Sequence, residues 1–239
     1  MSRFDEPVSR RRVLGLAAAA VGVATAATVG GAPAAEAASA NAAASSVREV
    51  LGTGRKNAVA LTIDDGPHPT WTPKILDLLA ASGVRATFSM IGHQAQAYPK
   101  LARRIARAGH ALCNHSMTHP QPFGALGTEA IRRQIRDAQS AISDAAGKQP
   151  NLFRAPGGNW TPAVLDAADE YGLTPVGWSV DPRDWTLPGA PAIEESLLTT
   201  SAGDILLCHD GGGNRAQTVT ALTAVLPQLR ADGLRFVVL

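Results

Sequence analysis

From about residue 57 onward, short apolar runs alternate with stripes at helical spacing. Val59 to Ile63 is a nearly continuous apolar run that breaks into Asp64-Asp65-Gly66-Pro67, the pattern of a buried parallel strand meeting a loop. Thr72-Pro73 then offers an N-cap and an N1 proline, and Ile75, Leu76 and Leu79 share one helical face up to Gly83. Further strands are predicted at 86–91, 111–115, 152–154, 174–178, 204–208 and 234–239. Helices are predicted around Leu101, Ile105 and Ala108, ending at Gly109, and around Ile131, Ile135 and Ile142. Thr161-Pro162 repeats the cap-plus-proline opening for a helix carrying Val164, Leu165 and Ala168, closed by Gly172. A last helix carries Val219, Leu222 and Leu226, and Pro227 inside it predicts a kink or a break.

This alternation predicts an α/β fold with a parallel sheet, either open and doubly wound or closed into a barrel. About seven strands in the 199 residues after position 40 favour a compact barrel in one domain, with no internal repeat.

The first forty residues follow a different pattern. From Ala17 to Ala44, 16 of 28 residues are alanine, too little bulk for a packed core. Ser9-Arg10-Arg11-Arg12-Val13-Leu14 precedes a mildly apolar stretch from Val13 to Val29, and small-x-small sites follow at 35–37 and 38–40. A charged start, a weak apolar region and small-residue cleavage sites predict a secretory signal over residues 1–40, and the arginine pair resembles the twin-arginine type. A retained anchor or a basic tail before an alanine-rich linker is the bland alternative. Residues 41–56 then form a short linker or N-terminal segment, and 57–239 the folded domain.

Charge and cysteine content narrow the function. The formal net charge is +2, divided evenly between residues 1–40 and the remainder, so the body lacks the basic excess of a nucleic-acid binder. Two cysteines exclude a disulfide-rich scaffold and a four-cysteine zinc module. Cys113 shares strand parity with His115 whereas Cys208 is out of phase with His209, which predicts two free thiols on opposite sides of the sheet. No strongly apolar run is long enough for a confident membrane span, so no stable insertion is expected after signal cleavage.

The ionisable residues collect at strand ends, where parallel α/β folds place their chemistry. They are Asp64-Asp65, His115 with His119, Arg154, Asp181 with Asp184, and His209-Asp210. The four-residue His spacing suits a helix face, yet a preceding strand and Pro120 suit a loop equally well. Two histidines with a carboxylate from another strand are a common metal set with room for water, and adjacent aspartates can divide metal binding from proton transfer. Arg154 follows apolar Leu152 and Phe153, so a buried guanidinium would need a carboxylate such as the free aspartate. Pro156-Gly157-Gly158 can bring backbone N–H groups close to a ligand. Asp184 is a candidate to tune His209, with Trp185 as an apolar wall. His68, His93 and His110 read as loop, surface or core residues, His68 lying nearest the aspartate pair.

Five segments occur in order: Thr62-Ile63-Asp64-Asp65-Gly66-Pro67, His115-Ser116-Met117-Thr118-His119, Arg154-Ala155-Pro156-Gly157, Asp181-Pro182-Arg183-Asp184-Trp185 and Leu207-Cys208-His209. Together they closely resemble the motifs of the NodB-type polysaccharide deacetylases, carbohydrate esterase family 4, over residues 57–239. The resemblance implies a distorted (β/α)-barrel of seven or eight parallel strands, TIM-like, and a hydrolase that removes acetyl groups from sugars with a divalent metal. Zinc is the usual ion, with cobalt or another transition metal as alternatives. By position it implies Asp65, His115 and His119 as metal ligands, Asp64 as general base held by Arg154, and His209 as general acid paired with Asp184. Gly157 matches the main-chain oxyanion donor, and Trp185 and Leu207 match residues lining the acetyl pocket.

Two departures stand out. Gly157, followed by Gly158, stands where many relatives carry Tyr after the proline, which removes an aromatic wall, and Ile63 stands where Phe is usual. The expected substrate is an N-acetylated GlcNAc polymer, either peptidoglycan or chitin oligomers, acted on by a secreted or cell-wall monomer. The rival readings are an O-deacetylase of acetylated xylan and a non-catalytic sugar-binding relative.

Overall fold

The computed structural model describes residues 43–239. The predicted export signal lies outside the described residues. Strand β1 (Ala58–Asp64) is buried along its whole length. Alternation splits it cleanly: Val59, Leu61 and Ile63 face the helical layer, whereas Ala58 and Ala60 join an inner cluster. Small residues inside and branched ones outside let a narrow barrel form around β1.

The remaining strands are β2 (Thr87–Met90), β3 (Ala111–Asn114), β4 (Leu152–Phe153), β5 (Thr174–Pro175), β6 (Ile205–His209) and β7 (Arg235–Phe236). All pair in parallel in the order β5-β4-β3-β2-β1-β6, with β7 joining the start of β1 at Ala58 and Val59. The sheet curls until the chain beyond β5 meets β6 at the Val180–Leu206 bridge, where the Leu207 N–H donates to the Val180 carbonyl at 2.9 Å. Three strands have only two paired residues each, which makes the barrel distorted, as the motif resemblance implied.

Helices α1 (Val47–Leu51), α2 (Trp71–Ala81), α3 (Gly92–Ala97), α4 (Pro99–Arg107), α5 (Thr128–Ala146), α6 (Pro162–Glu170), α7 (Ala190–Leu198) and α8 (Ala216–Ala231) complete the described fold. α2, α4, α5, α7 and α8 cover the outer face of the sheet through residues such as Ile75, Ile105, Ile142, Ile193 and Leu222. α1 is fixed by a capping box between Ser46 and Glu49, and its Val47 packs with Leu239, Ala60 and Val176 in the inner cluster. Residues 43–56 therefore contribute to the core.

Several details differ from expectation. α2 begins at Trp71, one residue before the expected cap, because Thr72 is used otherwise: its hydroxyl accepts the His68 N–H and donates to Asp210. Thr161 precedes α6 without making a side-chain cap. α8 passes through Pro227 unbroken, packed by Val225, Leu226 and Leu229. α3 and α7 carry weak periodic signals, the first a six-residue polar helix and the second burying only Ile193 and Leu197. Cys113 and Cys208 are free and buried in different clusters, inner and outer, as their strand parity requires. No helix among the described residues is long and apolar enough to cross a membrane.

Candidate active site

At the end of β1 two consecutive carboxylates enter the same cavity, which an extended strand would forbid. Asp64 keeps the inward direction of the strand, and Asp65 turns back with φ of 75°, a left-handed conformation that costs a non-glycine residue about 1–2 kcal/mol. The turn is braced from behind. A Cβ on Gly66 would lie 2.2 Å from the buried carboxylate of Asp210, so the loop packs only because residue 66 has none.

His115 follows β3, and the chain to His119 is a loop, with Ser116 at φ of 64° and His119 at 57°. Asn114 Oδ1 accepts the Ser116 N–H, and Gln134 on α5 accepts the N–H groups of Met117 and Thr118. So clamped, the two imidazoles approach to 4.8 Å between centroids. His115 Nε2 lies 3.5 Å and His119 Nε2 3.4 Å from Asp65 Oδ1.

Asp65, His115 and His119 each offer a ligand atom, all within 4.8 Å of one another. Asp65 Oδ1 is buried and has no hydrogen-bond partner among the described residues. His115 Nδ1 is 2.8 Å from the Arg154 carbonyl; donating there leaves its Nε2 lone pair facing Asp65. An orphaned carboxylate oxygen and two imidazoles form a donor set that fits a divalent cation of borderline softness. The protonation preferences agree. Burial opposes charge on Asp65, yet His115 above all, then His209 and His119, hold its carboxyl well below the usual range. His115 is raised despite burial because Asp64 and Asp65 face it, a field that favours any cation at that spot. Burial and His115 lower His119, keeping it neutral and able to ligate.

Arg154 is fully buried and reaches through the barrel interior from β4 to β1. Its Nη1 donates to Asp64 Oδ1 at 2.9 Å and to the Thr62 hydroxyl at 2.7 Å, and its Nη2 to the Gly177 carbonyl at 2.6 Å. Asp64 is thereby fixed by one oxygen, while its Oδ2 lies 3.7 Å from His115 Nε2. His209 ends β6 in register with Asp64 on the adjacent strand. Its Nδ1 is 2.6 Å from Asp184 Oδ1, and Asp184 Oδ2 accepts the His209 N–H and the Thr218 hydroxyl. Burial alone would lower His209, but the Asp184 carboxylate more than offsets it and raises the pKa to about 9. Asp184 moves down in return.

The cavity has a volume of about 490 Å³ and is lined by eight of the ten residues to which the motif resemblance gives a role, and by Asp181; Arg154 and Asp184 stand behind it. Trp185 is 51% exposed at its edge and Leu207 is buried in its wall. Gly157 lines it at φ of 63°; the Gly158 N–H is taken by Ala155, but no acceptor among the described residues takes that of Gly157. His68, His93 and His110 lie outside it, the last buried with its Nδ1 accepting the Ala86 N–H. Gln121, Trp178 and Arg215 also line the cavity without having been selected. Each sits in a loop or beyond a short strand, where side-chain direction has no periodic signal. Asp210, buried between Gly66 and Thr72 with one oxygen unpartnered among the described residues, was visible only as the neighbour of His209.

A parallel α/β barrel that gathers a candidate metal centre, a buried carboxylate and a protonated histidine in one cavity defines a hydrolase of the barrel type. The chain belongs to the polysaccharide deacetylase family, whose model matches residues 51–176. It is 42% identical over 182 residues to a peptidoglycan-N-acetylglucosamine deacetylase of Bacillus cereus, covering 75% of this chain and 84% of that one. It is also 42% identical over 194 residues to a chitooligosaccharide deacetylase of Sinorhizobium fredii, covering 76% and 89%. Among solved structures, a family 4 carbohydrate esterase from Streptomyces lividans in complex with acetate superposes with a TM-score of 0.70 at 36% identity, covering 74% of this chain and 90% of that one. The protein is a polysaccharide deacetylase, and its substrate is an acetylated carbohydrate.

Proposed function

We propose that this chain is a secreted, metal-dependent N-deacetylase of GlcNAc-containing polysaccharide, peptidoglycan or chitin oligomers. One observation carries the reading: the Asp65–His115–His119 cluster shares a single cavity with the Arg154-held Asp64 and the Asp184-held His209. The relatives named for peptidoglycan and chitooligosaccharides support the substrate class.

Asp65, His115 and His119 would hold the ion, with zinc preferred for a two-histidine, one-carboxylate set. When bound, it supplies polarisation of the acetyl carbonyl and acidification of a water. Asp64 accepts the proton of the attacking water, and Arg154 holds it in place through one of its oxygens. The Gly157 N–H meets the negative charge that develops on the acetyl oxygen. An amine leaves poorly as an anion, so His209, protonated at neutral pH, delivers a proton to the departing nitrogen. Trp185 and Leu207 shape the wall around the acetyl group.

The same reading assigns residues 1–40 as a twin-arginine-type export signal and 57–239 as the catalytic domain, supported by the arginine pair and the alanine-rich stretch in the sequence. Acetate release from GlcNAc oligomers, peptidoglycan and acetylated xylan, with and without chelator, tests the proposal. Chelator-sensitive release from the first two is expected; release from xylan alone, or from none, overturns it.

A further inference from the structure

Gly157 has open space on more than one side. A second groove of about 500 Å³ begins there, and Gly157 and Trp178 belong to the walls of both this groove and the catalytic cavity. Trp160, Leu165 and Gly158 form much of the rest. Both indoles are half-buried and held in place. Trp160 meets Phe153 edge-on at 5.8 Å, and the Arg154 guanidinium stands 5.5 Å from the centre of the Trp178 ring. A Cβ on Gly158 would lie 2.7 Å from the far edge of Trp178, so this ring takes its position because residue 158 is glycine.

Among the described residues no ionisable side chain lines the groove, in contrast to the cavity it adjoins. An uncharged, mainly apolar channel with two fixed indoles suits the flat apolar face of a pyranose ring and gives no partner to a charged peptide. At the junction residue 157 projects no side chain, so none stands between the two spaces there.

Resting on the deacetylase reading, we propose that this groove is a second sugar subsite, binding the residue next to the acetylated one through Trp160 and Trp178. The polymer crosses from one space to the other over Gly157. Substrate length, rather than acetyl chemistry, is what the groove senses.

The test compares kcat/KM for penta-N-acetyl-chitopentaose with that for 4-nitrophenyl acetate, which is too small to reach the groove. Leu165→Glu, on the partly exposed face of α6, puts a charge into the channel, and Trp160→Ala removes a platform, with Trp160→Phe as the conservative rescue. The pentamer-to-ester ratio is expected to fall about tenfold in Leu165→Glu and Trp160→Ala and to recover in Trp160→Phe. Should Trp160→Ala fail to fold because it also supports Phe153, Leu165→Glu decides alone. An unchanged ratio in a chain that still releases acetate from the pentamer overturns the subsite. A loss that varies with protein concentration also overturns it, assigning the groove to a second copy of the chain. Failure of the unaltered chain to release acetate from the pentamer overturns the deacetylase reading itself.

Discussion

Arg154 and Asp64 sit on strands separated by two others in the sheet, yet their side chains meet at 2.9 Å inside the barrel. Removing one member of such a buried pair leaves the other charge without compensation. Arg154→Ala is expected to destabilise the fold by about 3–5 kcal/mol, measured by denaturant unfolding, and to abolish acetate release. Arg154→Lys keeps the charge but loses the fork that also serves Thr62 and Gly177, so it should remain well below the unaltered chain in kcat.

Asp64 and Asp65 are neighbours with separable duties. Asp64→Asn is expected to lower kcat by about 10²–10⁴-fold while leaving metal content unchanged. His119→Ala should lose metal and activity together. Metal analysis of both purified variants checks this, and near-normal turnover in Asp64→Asn would remove it from the role of base.

The His209–Asp184 contact sets the alkaline side of the pH profile. With His209 raised to about 9, activity should hold through neutral pH and fall as the acid loses its proton. Asp184→Asn withdraws the supporting charge while burial remains, so the alkaline limb should move down by about two pH units. The sign for stability follows. The folded pKa lies above the unfolded value of 6.5, so the contribution of the pair is complete below that pH and is lost as pH rises through about 9. Melting temperatures of the two proteins should converge at high pH.

Gly66 tests the brace behind the aspartates. Gly66→Ala would drive a methyl group into Asp210, and a loss of about 1–3 kcal/mol is expected with a larger fall in activity, since Asp65 must shift. Unfolding midpoints and metal affinity measure the two effects separately.

Much of the site is legible in the chain because strand ends are legible. A continuous apolar run followed by Asp64-Asp65, or by His209, identifies both the strand and the polar group at its mouth. The five motifs in order add roles to those positions. Gln121 and Trp178 escaped notice because their direction depends on loop paths, and α7 because it buries only two residues of a nine-residue segment.

The sequence by itself determined the parallel α/β alternation, the burial of β1, the separation of the two cysteines and the ionisable residues at strand ends. Local periodicity and chain chemistry suffice for these, since each depends on residues near one another in sequence. Only the tertiary structure decided that Asp65 turns back beside Asp64, that His115 and His119 meet through a loop, and by what path across the barrel Arg154 meets the aspartate it was expected to hold. It also set a groove beside the catalytic cavity, with Gly157 and Trp178 in the walls of both. These relations depend on how the curled sheet brings distant strand ends to one mouth, and on backbone angles that neighbouring loops enforce, neither of which a linear pattern contains.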